Sequence, residues 1–281
     1  MAFPLRLSAV RGLVKEISVS GEKGKPLVVG GARELAPVLR RELARGATLV
    51  RGDDSPEGAA VLVYILAHDA RDEDEAALKR ARRARVPIVA VVTGRLAEES
   101  SIPYVLATDV VRVGVGEGFP VETITRVIAG RLGEDAAPLA AGVPVLRRAV
   151  AKSLVSSFAR KNGITGAAVF IGGTDLPVLV MNQLRLLLRL EQVYGRDIDL
   201  QERLPEIAAT LGTAYGWRAL ARDLVGRIAL SRWAVTGGVA YAGTRALGEA
   251  AIAQLEAVSA SSTSTPAAFR PLPGAASSAG P

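Results

Sequence analysis

The stretch from Gly163 to Leu190 limits what this chain can fold into more than any other. It is the longest apolar passage in the sequence and holds a single carboxylate, Asp175. A segment of that length and hydropathy has to be buried in protein or in lipid. Gly172, Gly173 and Pro177 argue against one straight helix. Two helices meeting near Thr174–Pro177 are expected instead, with Thr174 or Asp175 capping the second and Pro177 in its first turn. In that second helix Asn182, Arg185, Arg189 and Gln192 recur at three- and four-residue spacing, a narrow polar stripe. Leu184, Leu186, Leu187, Leu188, Leu190 and Val193 cover the rest of its surface, and Tyr194–Gly195 ends it. Asp175 has three readings: a helix cap, the partner of Arg185 or Arg189 in a neighbouring helix, or a protonatable functional group. A carboxylate among apolar residues is costly unless it is paired or capping.

Upstream the pattern is different. PLVVGG (26–31), GAAVLVYILA (58–67) and VPIVAVVTG (86–94) are continuous apolar runs bounded by glycines or polar loops, the signature of strands buried on both faces. Ala47–Val50 reads as a short strand and IPYVLATDVVRV (102–113) as one or two more. ARELAPVLRREL, the acidic DARDEDEAALKRARRAR and Val121–Leu132 read as helices between them. Strands alternating with helices at this spacing predict a three-layer α/β fold around a parallel sheet, placed at residues 1–140. An amphipathic segment, Leu5–Ile17, precedes it. GEDAAPLAAGVP (133–144) reads as the linker into an all-helical domain at 141–257. Helices are expected over 200–215, 217–230 and 233–257, the last carrying Gly237, Gly238, Gly243 and Gly248 for close helix contact. The Ser/Pro/Ala/Gly-rich residues 258–281 read as a disordered tail.

Charge narrows the function classes. The chain carries a formal charge of +7, yet no zinc-ligand spacing or aromatic stacking platform accompanies it, so a nucleic-acid role is not expected. No acidic residue occurs between Asp135 and Asp175. Arg147, Arg148, Lys152, Arg160 and Lys161 therefore form a positive collar suited to an anionic membrane surface or a protein partner. Self-association through the helical half is a further reading. With no cysteine, disulfides, thiol catalysis and thiolate metal sites are excluded. The N-terminal residues are broken by Arg6 and Arg11 and lack the apolar core of a signal peptide. A cytoplasmic protein is expected, at most peripheral to or partly embedded in the membrane. The glycines, Asp175 and Pro177 count against the roughly 20 mainly apolar residues that a crossing needs.

Candidate chemistry is sparse. A phosphate loop requires GxxxxGK[ST] between strand and helix, so that backbone amides, a lysine and a hydroxyl meet the phosphates and Mg²⁺. Here the first turn is Gly30–Gly31–Ala32–Arg33, which reads either as a tight turn or as a weak anion site of Gly30, Gly31 and Arg33. His68–Asp69 follows a strand and reads as an ordinary loop or as an oriented base. Asp69, Asp72, Glu73, Asp74 and Glu75 read as a solvated helix start, with Mg²⁺ collection the alternative. No catalytic residue, metal or cofactor is expected.

Residues 145–257 resemble the bacterial family catalogued as domain of unknown function 697. The likeness lies in GGTDLPVLVMNQLRLLLRLEQVYG (172–195) and YGWRALARDLVG…WAVTGGVAYAGTRALGEAA (215–251). The family's pattern falls on Asp175, Pro177, Gln183 and Tyr194–Gly195. The resemblance implies a helical domain joined to a GTPase domain, membrane-associated in several members. Residues 64–94 look like a GTPase strand, helix and base-recognition strand, with Thr93–Gly94–Arg95–Leu96 where Asn-Lys-x-Asp would stand. Both that motif and the phosphate loop are departures at residues that hydrolysis needs. A further departure, Arg227, Ser231 and Arg232, falls where an apolar, proline-containing helix break would stand. The expectation is a degenerate GTPase-like scaffold or regulatory module, with a nucleotide-binding regulator as the alternative.

Overall fold

A computed structural model describes residues 7–22, 24–52, 55–67, 72–94, 102–114, 116–168, 176–196 and 232–263. Helix α1 (Leu7–Glu22) leads into a βα repeat: β1 (Leu27–Gly31), α2 (Ala36–Leu43), β2 (Val50–Arg51), β3 (Val61–Leu66), α3 (Asp72–Arg83), β4 (Ile88–Thr93), β5 (Val110–Val113) and α4 (Val121–Leu132). Helices α5 (Ala136–Gly142), α6 (Arg147–Ala168), α7 (Leu176–Val193) and α8 (Arg232–Thr263) follow. The expected helices at 200–215 and 217–230 lie outside the described residues, as do His68, Asp69, Arg95, Leu96 and Asp175.

All five strands pair in parallel in the order β2-β1-β3-β4-β5, with Leu27 opposite Val61, Leu62 opposite Ile88 and Ala90 opposite Val110. This is a doubly wound order whose direction of winding reverses between β1 and β3, where open α/β sheets form a ligand crevice. Alternate residues face opposite layers. Val61, Val63 and Ile65 join the core under α2, α4 and α5, whereas Leu62, Tyr64 and Leu66 join the core under α3. Burial on both faces is what β-branched runs without polar alternation require.

The segment expected as a linker is folded. Residues 133–135 form a 3₁₀ turn and 136–142 form α5, with Ala136, Ala137, Leu139 and Ala140 buried. Alanines whose small side chains allow close approach to α6 and α7 explain why composition alone misleads here. The core under α4 and α5 runs on without a break through Leu146 and then Val150, Leu154 and Phe158 of α6 to Leu186 and Leu190 of α7. Two strand expectations shrink as well. Ala47 is in a turn that donates to the Ala44 carbonyl, leaving only Val50–Arg51 as β2. Pro103 and the positive φ of Tyr104 (64°) keep the chain irregular until β5. Residues 258–263, expected in the tail, belong to α8, which runs to Thr263; residues 264–281 lie outside the described residues. Ser259 and Ser261 donate to the carbonyls of Leu255 and Val258, which satisfies their hydroxyls within the helix.

Candidate docking surface

In α6, the buried positions Val150, Ala151, Leu154, Val155, Phe158, Ala159 and Asn162 follow the helical period and face the core. The opposite side is a row at strict four-residue spacing: Arg148, Lys152, Ser156, Arg160, Ile164 and Ala168, all exposed. Ile164, at 71% exposure, is the most exposed large apolar residue described. At 1.5 Å per residue, the cations from Arg148 to Arg160 extend over about 18 Å, and Ile164 lies about 6 Å further on. Val178 at the start of α7 is also half exposed, so the end of α6 and the start of α7 each present an apolar residue.

The five-residue collar divides. Arg147 is drawn back onto the end of α5, where Nε and Nη2 donate to the carbonyls of Ala140 (3.4 Å) and Ala141 (3.1 Å). Lys161 pairs with Glu134 at 2.5 Å and lies 4.9 Å above the Phe158 ring. Arg148, Lys152 and Arg160 keep their charge toward solvent, without an ion pair among the described residues. A groove of about 250 Å³ between α6 and α8 adjoins this row, lined by Lys152, Val155, Ser156, Arg245 and Glu249.

Helix α8 runs antiparallel along α6, and glycines hold the two close. A methyl group on Gly237 would lie 2.9 Å from the Gly163 carbonyl oxygen, and one on Gly248 would lie 2.5 Å from a Val155 methyl. Of the four glycines expected in contact, Gly238 faces open space instead. A buried polar relay ties three helices: Asn182 donates to Asn162 (2.8 Å), Asn162 to Thr244 (2.9 Å), and Thr244 to the Ala240 carbonyl (2.8 Å). Asn162 and Thr244 are fully buried, so each bond replaces water that cannot reach them.

The rest of the α7 stripe holds α1. Arg185 donates to both Glu16 carboxylate oxygens at 2.8 Å, Arg189 donates to Gln192, and Gln192 donates to the Ile17 carbonyl. Leu13 and Ile17 pack on Val180, Leu184 and Leu188 in a cluster separate from the main core. Their burial contributes on the order of 3–6 kcal/mol before the cost of ordering α1 is subtracted. Nothing local in α1 signals this partner, which stands 169 residues away in sequence.

Of the family-pattern positions, Pro177 falls in the first turn of α7, while Gln183 is half-buried and hydrogen-bonds to none of the described residues; its neighbour Asn182 carries the relay. Gly195 closes α7 with φ +69°, and its amide and that of Arg196 bond back to Gln192 and Glu191. Burial pushes the Tyr194 phenol up to about 12, and the Glu256 carboxylate, which accepts its hydroxyl at 3.4 Å, acts in the same direction.

At the sheet crevice, Gly31 has φ +100°, and any side chain there would strike the Ile65 backbone. Ala32 donates its amide to the Ile65 carbonyl, and Leu35 and Ala36 donate theirs to Ala32. Pro37 has no amide, which leaves those of Arg33 and Glu34 for an anion, with the Arg33 side chain exposed beside them. At the start of α3, Asp74 accepts from Tyr64 (2.9 Å) and Glu75 from Tyr104 (3.3 Å), so two of the acidic residues hold tyrosines. Among the described residues no group of three potential ligands could hold a metal ion, and no helix is long and apolar enough to cross a membrane.

Fold and surface together define a doubly wound parallel α/β layer carrying a stack of helices with a cationic outer row. No family model matches the chain, and no curated protein matches it.

Proposed function

We propose that this protein is a non-catalytic scaffold or regulatory module whose helical layer docks on an anionic membrane surface. The observation that carries the reading is the outer row of α6, three solvent-facing cations leading to an exposed isoleucine. Anionic lipid attracts a nearby Lys or Arg by about 1 kcal/mol each. Arg148, Lys152 and Arg160 together account for roughly 3 kcal/mol, about a hundredfold in partitioning. Ile164 and Val178 add apolar contact at the helix ends. The α/β layer is read as a degenerate GTPase-like domain and residues 145–257 as a relative of the domain-697 family. The β1 turn supports the loss of turnover, since most of its amides are already bonded within the fold.

Vesicle flotation tests this. The full chain is expected to float with vesicles containing phosphatidylglycerol, less so as salt rises, and not with phosphatidylcholine alone. The triple variant Arg148→Glu, Lys152→Glu, Arg160→Glu should remain at the bottom of the gradient. Equal flotation of the variant and the parent would refute the reading.

A second reading, a nucleotide-binding regulator, draws on the position of Gly30 and Gly31 at the crevice where β1 and β3 diverge. Calorimetry with GTP, ATP and their diphosphates in Mg²⁺ decides it, and absence of heat at millimolar ligand removes it.

A further inference from the structure

We propose that the face of α7 now covered by α1 is a second lipid-binding surface, with α1 as its removable cover and an anionic bilayer as its partner. The inference rests on the membrane reading above and extends it to a different helix. Under α1 lie Val180, Met181, Leu184 and Leu188, a continuous apolar row. Half-exposed Val178 carries apolar surface one turn beyond Met181, so part of this face is already in solvent. Arg185 and Arg189 stand along one edge of the row. An apolar face bordered by arginines is the pattern of a helix lying in a bilayer interface.

The cover stands apart from the main core. Among the described side chains, Leu13 and Ile17 cluster with residues of α7, outside the core that unites the sheet with α4–α7. The ion pair Glu16–Arg185 is 53% exposed on the glutamate side and 35% on the arginine side, so water and salt compete for it. A lipid phosphate offers Arg185 the same charge-assisted bonds that Glu16 offers, and acyl chains offer Leu184 and Leu188 what Leu13 and Ile17 offer. Elements with few buried contacts of their own are the ones that open before the rest of a fold.

The absence of cysteine makes the test clean. Val14 and Met181 both pack at the edge of the α1–α7 cluster. In the full chain carrying Val14→Cys and Met181→Cys, a bismaleimide joining the two thiols should lock the cover shut. The cross-linked form is expected to bind phosphatidylglycerol vesicles at least fivefold more weakly than the same protein without the reagent. Leu13→Glu, which unseats α1, should bind at least as well as the unlinked form. Equal binding of the cross-linked and unlinked forms, with both still lost on charge reversal of Arg148, Lys152 and Arg160, overturns this inference and leaves the α6 reading intact. Binding by none of the forms overturns both. A lipid-free measurement is independent of either: thiol labelling of the single variant Leu184→Cys, at a position 1% exposed under α1, should run much faster than global unfolding, and labelling only at the unfolding rate shows that α1 does not lift.

Discussion

Two adjacent glycines in α8 give a prediction of opposite signs. In the interior of an exposed helix, Gly→Ala stabilises by about 1 kcal/mol, because alanine loses less backbone entropy on folding. At Gly238 nothing lies within 4 Å of the new methyl group, so Gly238→Ala should stabilise by about 0.5–1 kcal/mol. At Gly237 the same atom would sit 2.9 Å from the Gly163 carbonyl oxygen and 2.9 Å from the Ala167 methyl. Ordinary contact needs several tenths of an ångström more, and one obstacle is backbone, so α6 and α8 must separate. Overpacking of this kind costs about 1–3 kcal/mol, which outweighs the propensity gain. Separation would also lengthen the 2.9 Å bond from Asn162 to Thr244 in the same seam. The net expectation for Gly237→Ala is a loss of about 0–2 kcal/mol, and a gap between the two variants of about 1–3 kcal/mol. Urea unfolding of the two single variants beside the parent measures it. If both substitutions stabilise equally, the two helices do not approach as closely as the glycines require, and the account of the seam fails.

Asn162→Leu should cost about 1–3 kcal/mol, because the Asn182 amide loses its acceptor and the Thr244 hydroxyl its donor inside the helical layer; thermal unfolding reads this, and Gln183→Leu in the same assay should be close to neutral. Arg131→Met should destabilise well beyond Arg126→Met in urea titrations: it strands the buried Asp109 carboxylate, whereas Arg126 pairs with an exposed Glu122. Ultraviolet titration should show a phenol ionising near 12 that is absent in Tyr194→Phe. The folded state keeps that proton after the unfolded chain has lost it at about 10. The stabilisation is therefore present below pH 10 and falls as pH rises toward 12, a slope that Tyr194→Phe should flatten.

How much of this was legible in the residues depended on how local the physics was. The three long strands were readable because runs such as Val61–Leu66 are apolar without alternation, and only a sheet covered on both faces buries such a run. The start of α7 was readable because Pro177 suits the first turn of a helix, and the structure places it there; Gly172 and Gly173 lie outside the described residues. Close glycine packing was legible in kind at Gly237 and Gly248 but not at Gly238, since only the facing helix decides which side of α8 is crowded. Residues 133–144 were misread for a related reason. Their alanines are compatible with a linker or with a helix pressed between neighbours, and the neighbours settle it. The collar was misread in part, because Arg147 and Lys161 find partners in α5 and the turn before it, contacts that charge counting does not see.

The polar stripe of α7 shows what remains hidden even when a pattern is recognised. Spacing placed Asn182, Arg185, Arg189 and Gln192 on one side of the helix, where a solvent-facing edge would be the simplest use for them. Instead Asn182 turns to α6, while Arg185 and Gln192 hold α1, and Arg189 holds Gln192 in place. Arg189 and Gln192 are each only 6% exposed. Apolar residues at these four positions would leave α7 free to slide or rotate against its neighbours at little cost in area, whereas each hydrogen bond exists in one register only. On this argument the stripe sets the position of α7 relative to α1 and α6. The same arginines that fix α1 in place are then the charges uncovered when it leaves.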